Sequence, residues 1–161
     1  MRFAALAVLA LMVGCPAHDK VAAPVSPPVP ADVVQAAKAT VEQWRQAYEV
    51  RSLDALAKLY VHDPSTVVVL DGTPIMGWSA IETALGDKLV HAKEIHVRLK
   101  DLAVTELAPT VACATATMTR EIGDGITTVT ENGALTLVLR RDDADASWKI
   151  AIEHYSYKRP G

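Results

Sequence analysis

The most constraining feature of this sequence is an amphipathic helical stretch that ends at a proline and is followed almost entirely by strand patterns. Apolar residues recur at helical spacing along its first part: Val33, Ala37, Val41, Trp44 and Tyr48. One face of a long helix is therefore apolar. The helices must bury this face, and the sheet that follows must bury one of its own, so the sequence predicts that they pack together.

Three helices are predicted from caps and periodicity. The first covers residues 32–50, with Asp32 as a candidate N-cap. The second covers residues 53–61, and Ser52 is its candidate N-cap. The third begins at a capping-box pattern formed by Ser79 and Glu82.

Six strands are predicted after the second helix, two short and four long. They cover residues 66–70, 73–76, 95–100, 111–121, 125–140 and 148–157. Pro74 marks the second strand as an edge strand, because proline cannot donate to a ladder. Asp71 and Gly72 are predicted to turn the chain between the first two strands, and Gly133 is predicted to mark a bulge or bend in the fifth.

The length of the chain indicates one domain, and its charge does not favour nucleic-acid binding. The sequence has 161 residues, with 16 basic and 19 acidic side chains. A single domain over residues 32–158 accounts for all the helix and strand patterns. The nearly neutral charge balance leaves no basic footprint, so nucleic acid is not an expected partner.

The first residues have the pattern of a targeting segment. Residues 1–14 combine an early arginine with an apolar run too short to span a bilayer, which is typical of a signal peptide. The run ends in L-M-V-G-C, which resembles the lipobox of bacterial lipoproteins and implies lipidation of Cys15. The alternative is an ordinary signal peptide with an incidental Cys15. Lipidation would anchor the protein in the cell envelope, at the outer membrane facing the periplasm in a Gram-negative organism.

A Pro-rich tether connects the predicted anchor to the domain. Residues 15–31 contain five of the nine prolines, so an extended, semi-rigid segment reaching about 40–45 Å is expected. Its expected role is to hold the domain away from the membrane. With Cys15 lipidated, Cys113 would have no intramolecular partner, and it is interpreted as a small buried hydrophobe.

Four stretches of the chain carry a family resemblance. They read W-R-Q-A-Y-E-V-R-S-L-D-A-L-A-K-L-Y-V-H-D-P, G-T-P-I-M-G-W-S-A-I, G-A-L-T-L-V-L-R-R and W-K-I-A-I-E-H-Y-S. In order and spacing they resemble the SnoaL-like branch of the nuclear transport factor two-like superfamily. The resemblance implies an α+β fold in which a cone-shaped, curved antiparallel sheet packs on three N-terminal helices, a cystatin-like α+β barrel. It also implies a pocket on the concave face and, often, a homodimer through the sheet.

The resemblance alone does not indicate a reaction, because the family includes ketosteroid isomerases, polyketide cyclases, dehydratases and inactive members. In the isomerase pattern, a tyrosine of the first helix donates to the oxyanion, and an aspartate of the first strand is the base. Alignment on Leu53 and Asp54 places Trp44 at the tyrosine position and Val68 at the base position. Valine cannot accept a proton, so isomerase chemistry of this type is not expected.

His154 is the best remaining candidate for chemistry. Strict alternation along the last strand places a set of residues on one apolar face: Trp148, Ile150, Ile152, His154 and Ser156. His154 is therefore expected to point inward, near the hydroxyl of Ser156. It is either a pocket acid or base, or a core histidine that hydrogen-bonds a backbone carbonyl or a tyrosine.

The predicted ligand pocket contains six residues: Trp44, Tyr48, Val68, Trp78, His154 and Ser156. Tyr60 is interpreted as core, and Glu131 as either a strand-end residue reaching water or a pocket acid. No set of His, Cys and acidic residues has metal-ligand spacing, and no Gly-rich phosphate loop is present, so no metal or cofactor is expected.

Three functions remain open from the sequence. The leading hypothesis is a non-catalytic module that binds a small apolar molecule or assembles as a dimer, because an acid–base set is missing. The alternative is an envelope cyclase, isomerase or hydrolase that uses His154, with Tyr48 or Trp44 as a donor. The third is a purely structural partner in the envelope that uses the outer sheet face.

Overall fold

The structure is a computed structural model that describes residues 31–70, 72–143 and 146–158. Its helices are α1 (Ala31–Glu49), α2 (Leu53–Ala57) and α3 (Trp78–His91). Its strands are β1 (Val67–Leu70), β2 (Thr73–Met76), β3 (Glu94–Ala108), β4 (Val111–Gly123), β5 (Thr128–Arg140) and β6 (Lys149–Lys158). The predictions for the signal peptide, the lipidated Cys15, the Pro-rich tether and the turn residue Asp71 fall outside the described residues.

All six strands belong to one curved sheet in the order β2-β1-β6-β5-β4-β3. The predicted α+β class with helices packed on a curved sheet is therefore confirmed. Two details differ from the prediction. The β1–β6 pair is parallel, whereas the other pairs are antiparallel. The sheet also stays open, because β2 and β3 form its two edges and do not pair.

The core lies between α1 and the concave face of the sheet. Helix α1 packs over β3 and β4, and all five residues of its predicted apolar stripe are at most 4% exposed. Opposite them, small and aliphatic side chains of β4 and β5 are buried: Ala112, Ala114, Ala116, Met118, Leu135, Leu137 and Leu139. The helical periodicity therefore identified the buried face of α1 correctly. None of the described helices is long and apolar enough to cross a membrane.

Helix ends were predicted less well than helix faces. Ser52 caps α2 as predicted, because its Oγ accepts a hydrogen bond from the Ala55 N–H at 3.1 Å. However, α1 begins before Asp32, and α3 follows Gly77 at φ 82° with no side-chain cap, so the predicted Ser79 cap is wrong. Helix α2 ends early, at Ala57, because the chain beyond it bonds to β6: the Ile150 N–H donates to Leu59 O at 2.7 Å.

A bulge in β6 determines which side chains of this strand face the core. Val138 of β5 pairs with Ile152, but the next residue, Leu139, pairs with Ile150, so Ala151 is one extra residue in β6. Side chains after the bulge are therefore on the opposite face from the one that strict alternation predicts. At Gly133, where a bulge or bend was predicted, the pairing is continuous. A Cβ atom there would overlap the Ser156 carbonyl oxygen, so the site requires glycine for close approach.

Candidate functional site

Four polar or aromatic side chains converge beneath α1 around one buried carboxylate. Trp44 and Tyr48 come from α1, Tyr60 follows α2, and Glu153 comes from the middle of β6. Each is at most 3% exposed. We call these four residues the Glu153 cluster.

Local structure explains why these side chains meet. Trp44 and Tyr48 are four residues apart on a helix, so they lie on one face, and their rings are 4.8 Å apart in an edge-on arrangement. Tyr60 is positioned by a bridge that pairs it with Ile150 of β6. Glu153 lies between Val68 of β1 and Leu137 of β5, its partners in the two neighbouring strands.

Three donors bind the two carboxylate oxygens of Glu153. The Trp44 Nε1–H donates to Oε2 at 2.9 Å, and the Tyr48 hydroxyl donates to Oε1 at 3.3 Å. The Tyr60 hydroxyl also donates to Oε2. The same Trp44 N–H is 3.2 Å from the Tyr60 oxygen, so the indole contacts both members of this pair. The cluster therefore satisfies every polar atom that it buries.

Burial controls the electrostatics of the cluster. Desolvation raises the pKa of the Glu153 carboxyl above its usual range, and the hydrogen bonds from Tyr60 and Trp44 only partly offset this. Desolvation, followed by the charge of Glu153, raises the pKa of the Tyr48 and Tyr60 hydroxyls well above the ordinary tyrosine value. Both tyrosines therefore stay protonated and act as donors.

A second buried polar group lies on the same concave face. Arg120 of β4 and Glu131 of β5 are cross-strand partners, and their side chains form an ion pair at 2.6 Å. The Arg120 guanidinium also lies 4.7 Å from the centre of the Tyr155 ring. With 14% of its side chain exposed, Glu131 is a partly buried ion-pair partner of Arg120.

The structure brings four of the six predicted pocket residues together. Trp44 and Tyr48 belong to the Glu153 cluster, and Val68 is the fully buried strand neighbour of Glu153. The Trp78 ring is 5.4 Å from Tyr60. Tyr60 was predicted to be core, and it is buried, but its hydroxyl also contributes a hydrogen bond to the site.

The other two predicted pocket residues are on the wrong side of the sheet. His154 and Ser156 are exposed on the outer, convex face, whereas Glu153 and Tyr155 point inward. The Ala151 bulge causes this difference, because it shifts the alternation by one residue. The prediction that His154 points into the pocket is therefore wrong.

Sequence reasoning missed Glu153, which is the centre of the site. Alternation counted from Trp148 placed it on the solvent face. One signal was available: Trp44, Tyr48 and Tyr60 each carry a polar donor at a position predicted to be buried. Buried donors of this kind need an acceptor, and a nearby carboxylate is the strongest one.

A surface groove lies next to the cluster. It has a volume of about 820 Å³ and is lined by His62, Met76, Trp78 and their neighbours. The His62 ring stacks on Trp78 at a centroid distance of 4.4 Å, and Trp78 in turn contacts Tyr60. The described residues contain no group of three or more His, Cys, Asp or Glu side chains that could hold a metal ion.

Comparison with known proteins agrees with this fold. A family model described as a SnoaL-like domain matches residues 37–160. No curated protein is similar enough in sequence to count as a match.

Solved structures show the same fold at low sequence identity. A candidate dehydratase of the NTF2-like family from Streptomyces avermitilis is 20% identical with a TM-score of 0.73, over 82% of this chain and 100% of that chain. A candidate aromatic ring hydroxylase from Novosphingobium aromaticivorans is 21% identical with a TM-score of 0.73, over 83% and 94%. An uncharacterised cystatin-like protein from Caulobacter vibrioides is 19% identical with a TM-score of 0.64, over 78% and 89%.

Proposed function

This chain belongs to the SnoaL-like family, and from that premise we propose that it is a non-catalytic module of the cell envelope that assembles as a homodimer through the outer face of its sheet. One observation carries the proposal: the concave face, where a reaction would need space, is closed over Glu153. The side chains of the Glu153 cluster are at most 3% exposed, and both carboxylate oxygens already accept hydrogen bonds. A closed, hydrogen-bonded cluster suits a structural role that fixes α1 to the sheet.

The outer face offers the surface for assembly. Cross-strand partners on β4, β5 and β6 form three rows on this face: Cys113, Val138 and Ile152; Thr115, Thr136 and His154; Thr117, Ala134 and Ser156. We call these nine residues the outer grid. It contains no acidic, lysine or arginine side chain, and a depletion of charge is what distinguishes the core of a protein interface.

The proposal is tested by measuring the oligomeric state of the native chain and of a variant with one charged side chain added to the outer grid. Sedimentation of the native chain should give a dimer, and Thr136→Arg, at the centre of the outer grid, should shift the equilibrium to monomer. The matched control is Thr128→Arg, which is on the same strand and eight residues away, about 27 Å. A native chain that sediments as a monomer at all concentrations, or a Thr136→Arg variant that remains dimeric, would refute the assembly role.

The envelope location rests on the sequence near Cys15, where the lipobox-like pattern precedes a Pro-rich stretch. Expression with a labelled fatty acid should label the native chain and not Cys15→Ser, and only the native chain should fractionate with membranes. Equal labelling of the native chain and Cys15→Ser would refute the lipid anchor and would leave the proposed dimer untouched.

A second function is favoured by the electrostatics of Glu153. Burial raises the pKa of this carboxyl, and a carboxyl of this kind next to two tyrosine donors can act as an acid or base once a small apolar ligand enters. Native mass spectrometry of the purified chain would detect such a ligand. This function would be favoured if the His154→Gln variant kept the bound ligand and the Glu153→Gln variant lost it. Absence of any ligand from the native chain would favour the non-catalytic one.

A further inference from the structure

His154 is the one side chain of the outer grid that gains a charge when the pH falls. All nine grid residues lie within the described strands, and of these only Cys113 and His154 titrate. A thiol is neutral in its protonated form, so acidification leaves Cys113 uncharged, whereas an imidazole becomes a cation. The proposed dimer surface therefore has one position per copy at which an added proton creates a charge.

The immediate neighbours of His154 do not stabilise a positive charge. It lies between Val69 of β1 and Thr136 of β5, its partners in the two neighbouring strands. On β6 itself, alternation places Ile152 and Ser156 beside it on the same face. None of these four side chains is acidic, so a protonated imidazole at this position relies on water for its stabilisation.

The charged groups of this face lie outside the grid. Lys158 is two residues beyond it on β6, and Arg140 is two residues beyond it on β5. Arg140 pairs with Asp63 at 2.8 Å, so that carboxylate is already neutralised. On β3, three strands from β6, Lys100 and Asp101 are exposed charges of opposite sign. Along β5 and β6 on this face, a protonated imidazole therefore meets basic groups and no free carboxylate.

We propose that protonation of His154 dissociates the dimer, so that the outer grid is a pH-sensitive interface. This inference rests on the dimer proposed above and states how that dimer is regulated. In the dimer one grid covers the other, and an imidazolium enclosed there loses water without gaining a carboxylate. The neutral imidazole therefore favours the dimer, and the cation favours the monomer. Histidine is the side chain that ordinarily changes charge between about pH 5 and pH 8.

The direction and size of the effect follow from proton linkage. The monomer binds protons that the dimer excludes, so the dimer is tightest at high pH and weakens as the pH falls. Each copy contributes one His154, so dissociation takes up two protons. Two protons give a limiting change in Kd of about 100-fold per pH unit, whereas one proton gives about tenfold.

Sedimentation equilibrium of the native chain at about pH 8 and about pH 5 tests the inference. Circular dichroism at both pH values shows whether the chain stays folded. We expect a dimer at about pH 8 and a Kd at least about 100-fold higher at about pH 5. His154→Gln should show the same Kd at the two pH values, whatever its absolute size. The matched control is His96→Gln, which removes an exposed histidine of β3 outside the grid and should keep the full pH response.

A second variant imitates the protonated state. His154→Lys places a positive charge on the grid that persists at about pH 8, so this variant should be monomeric where the native chain is dimeric. A native chain that is monomeric at about pH 8 would refute the dimer itself. Three other results would overturn the inference and leave the dimer standing: a native Kd that does not change with pH, a pH response that survives in His154→Gln, or a His154→Lys dimer as tight as the native one.

Discussion

Glu153 and His154 are adjacent in the chain, yet they are in opposite environments. Glu153 is 2% exposed and accepts hydrogen bonds from Trp44, Tyr48 and Tyr60. His154 lies on the outer face among small neutral side chains of the outer grid. The choice between them is made by Ala151, the extra residue in β6. Backbone register, more than residue type, therefore decides which titratable group lies in the interior of this domain.

The largest expected effect comes from shifting the alternation of β6 after the bulge. Insertion of one alanine between Ile152 and Glu153 would turn Glu153 and Tyr155 outward while His154 and Ser156 turn inward. We expect loss of cooperative thermal unfolding by circular dichroism. Deletion of Ala151 is the control and should leave a cooperative transition, because Ile152 then follows Ile150 directly and Glu153 stays inward. A native-like transition after the insertion would show that the alternation of β6 does not fix the two environments.

The next largest effect is expected inside the Glu153 cluster. Trp44→Ala removes the largest side chain of the cluster and one donor to Glu153. Urea denaturation should show a loss of about 3–5 kcal/mol in the free energy of unfolding. Trp78→Ala, which removes a partly buried indole, should cost clearly less. Similar losses in the two variants would contradict the special position of Trp44.

The pH dependence of stability should distinguish the buried acid from a surface acid. Burial raises the pKa of Glu153 above 4.5 in the folded protein. The folded state therefore binds the proton more tightly than the unfolded chain, and stability falls as pH rises from about 4.5 to the raised pKa. Glu153→Gln should remove this fall, which urea denaturation at successive pH values would detect.

Asp63 should change the stability with pH in the opposite direction from Glu153. Hydrogen bonds from Ser65 and Arg140 lower its pKa from 3.8 to about 2. The unfolded chain binds this proton more tightly, so stability falls as pH drops from about 4 to about 2. Asp63→Asn should remove this loss of stability below about pH 4 and leave the Glu153-dependent fall above about pH 4.5 unchanged. If Asp63→Asn removed the fall above pH 4.5, or Glu153→Gln removed the loss below pH 4, the directions of the two pKa shifts would be contradicted.

The smallest effect is expected on the outer face. His154→Ala should change the free energy of unfolding by no more than about 0.5 kcal/mol when measured on monomeric protein. Glu153→Ala, which removes the acceptor of the buried Tyr48 and Tyr60 hydroxyls, should cost several times more. A large loss for His154→Ala in the monomer would indicate that His154 packs in the interior after all.

Much of the fold followed from the sequence because its causes are local. The apolar stripe of α1 repeats every three or four residues, and every member of it is buried. The Ser52 cap depends on a side chain and an N–H three residues away, and it is present. Pro74 marked an edge strand, and β2 is at the edge of the sheet. Patterns of this length can be identified without knowledge of the rest of the molecule.

The site was only half predictable because its geometry depends on distant partners. Trp44, Tyr48 and Val68 were placed correctly near one another, but their acceptor Glu153 was not. The bulge at Ala151 is set by pairing with Val138 and Leu139 of β5, and no local pattern marks it. The early end of α2 has the same origin, since Leu59 and Val61 bond to the backbone of Ile150.

The position of β6 has a consequence for the order of folding. This last strand lies between β1 and β5 in the sheet, and its parallel pairing joins Val67 to Ile152, 152 − 67 = 85 residues later in the chain. The β3–β4–β5 meander and the β1–β2 hairpin pair residues that are close in sequence and can form first, but they share no strand pairing until β6 inserts between them. Until then the indole and phenol donors of the domain have no carboxylate. The folding nucleus should therefore exclude Glu153, and its contacts should form in the final step.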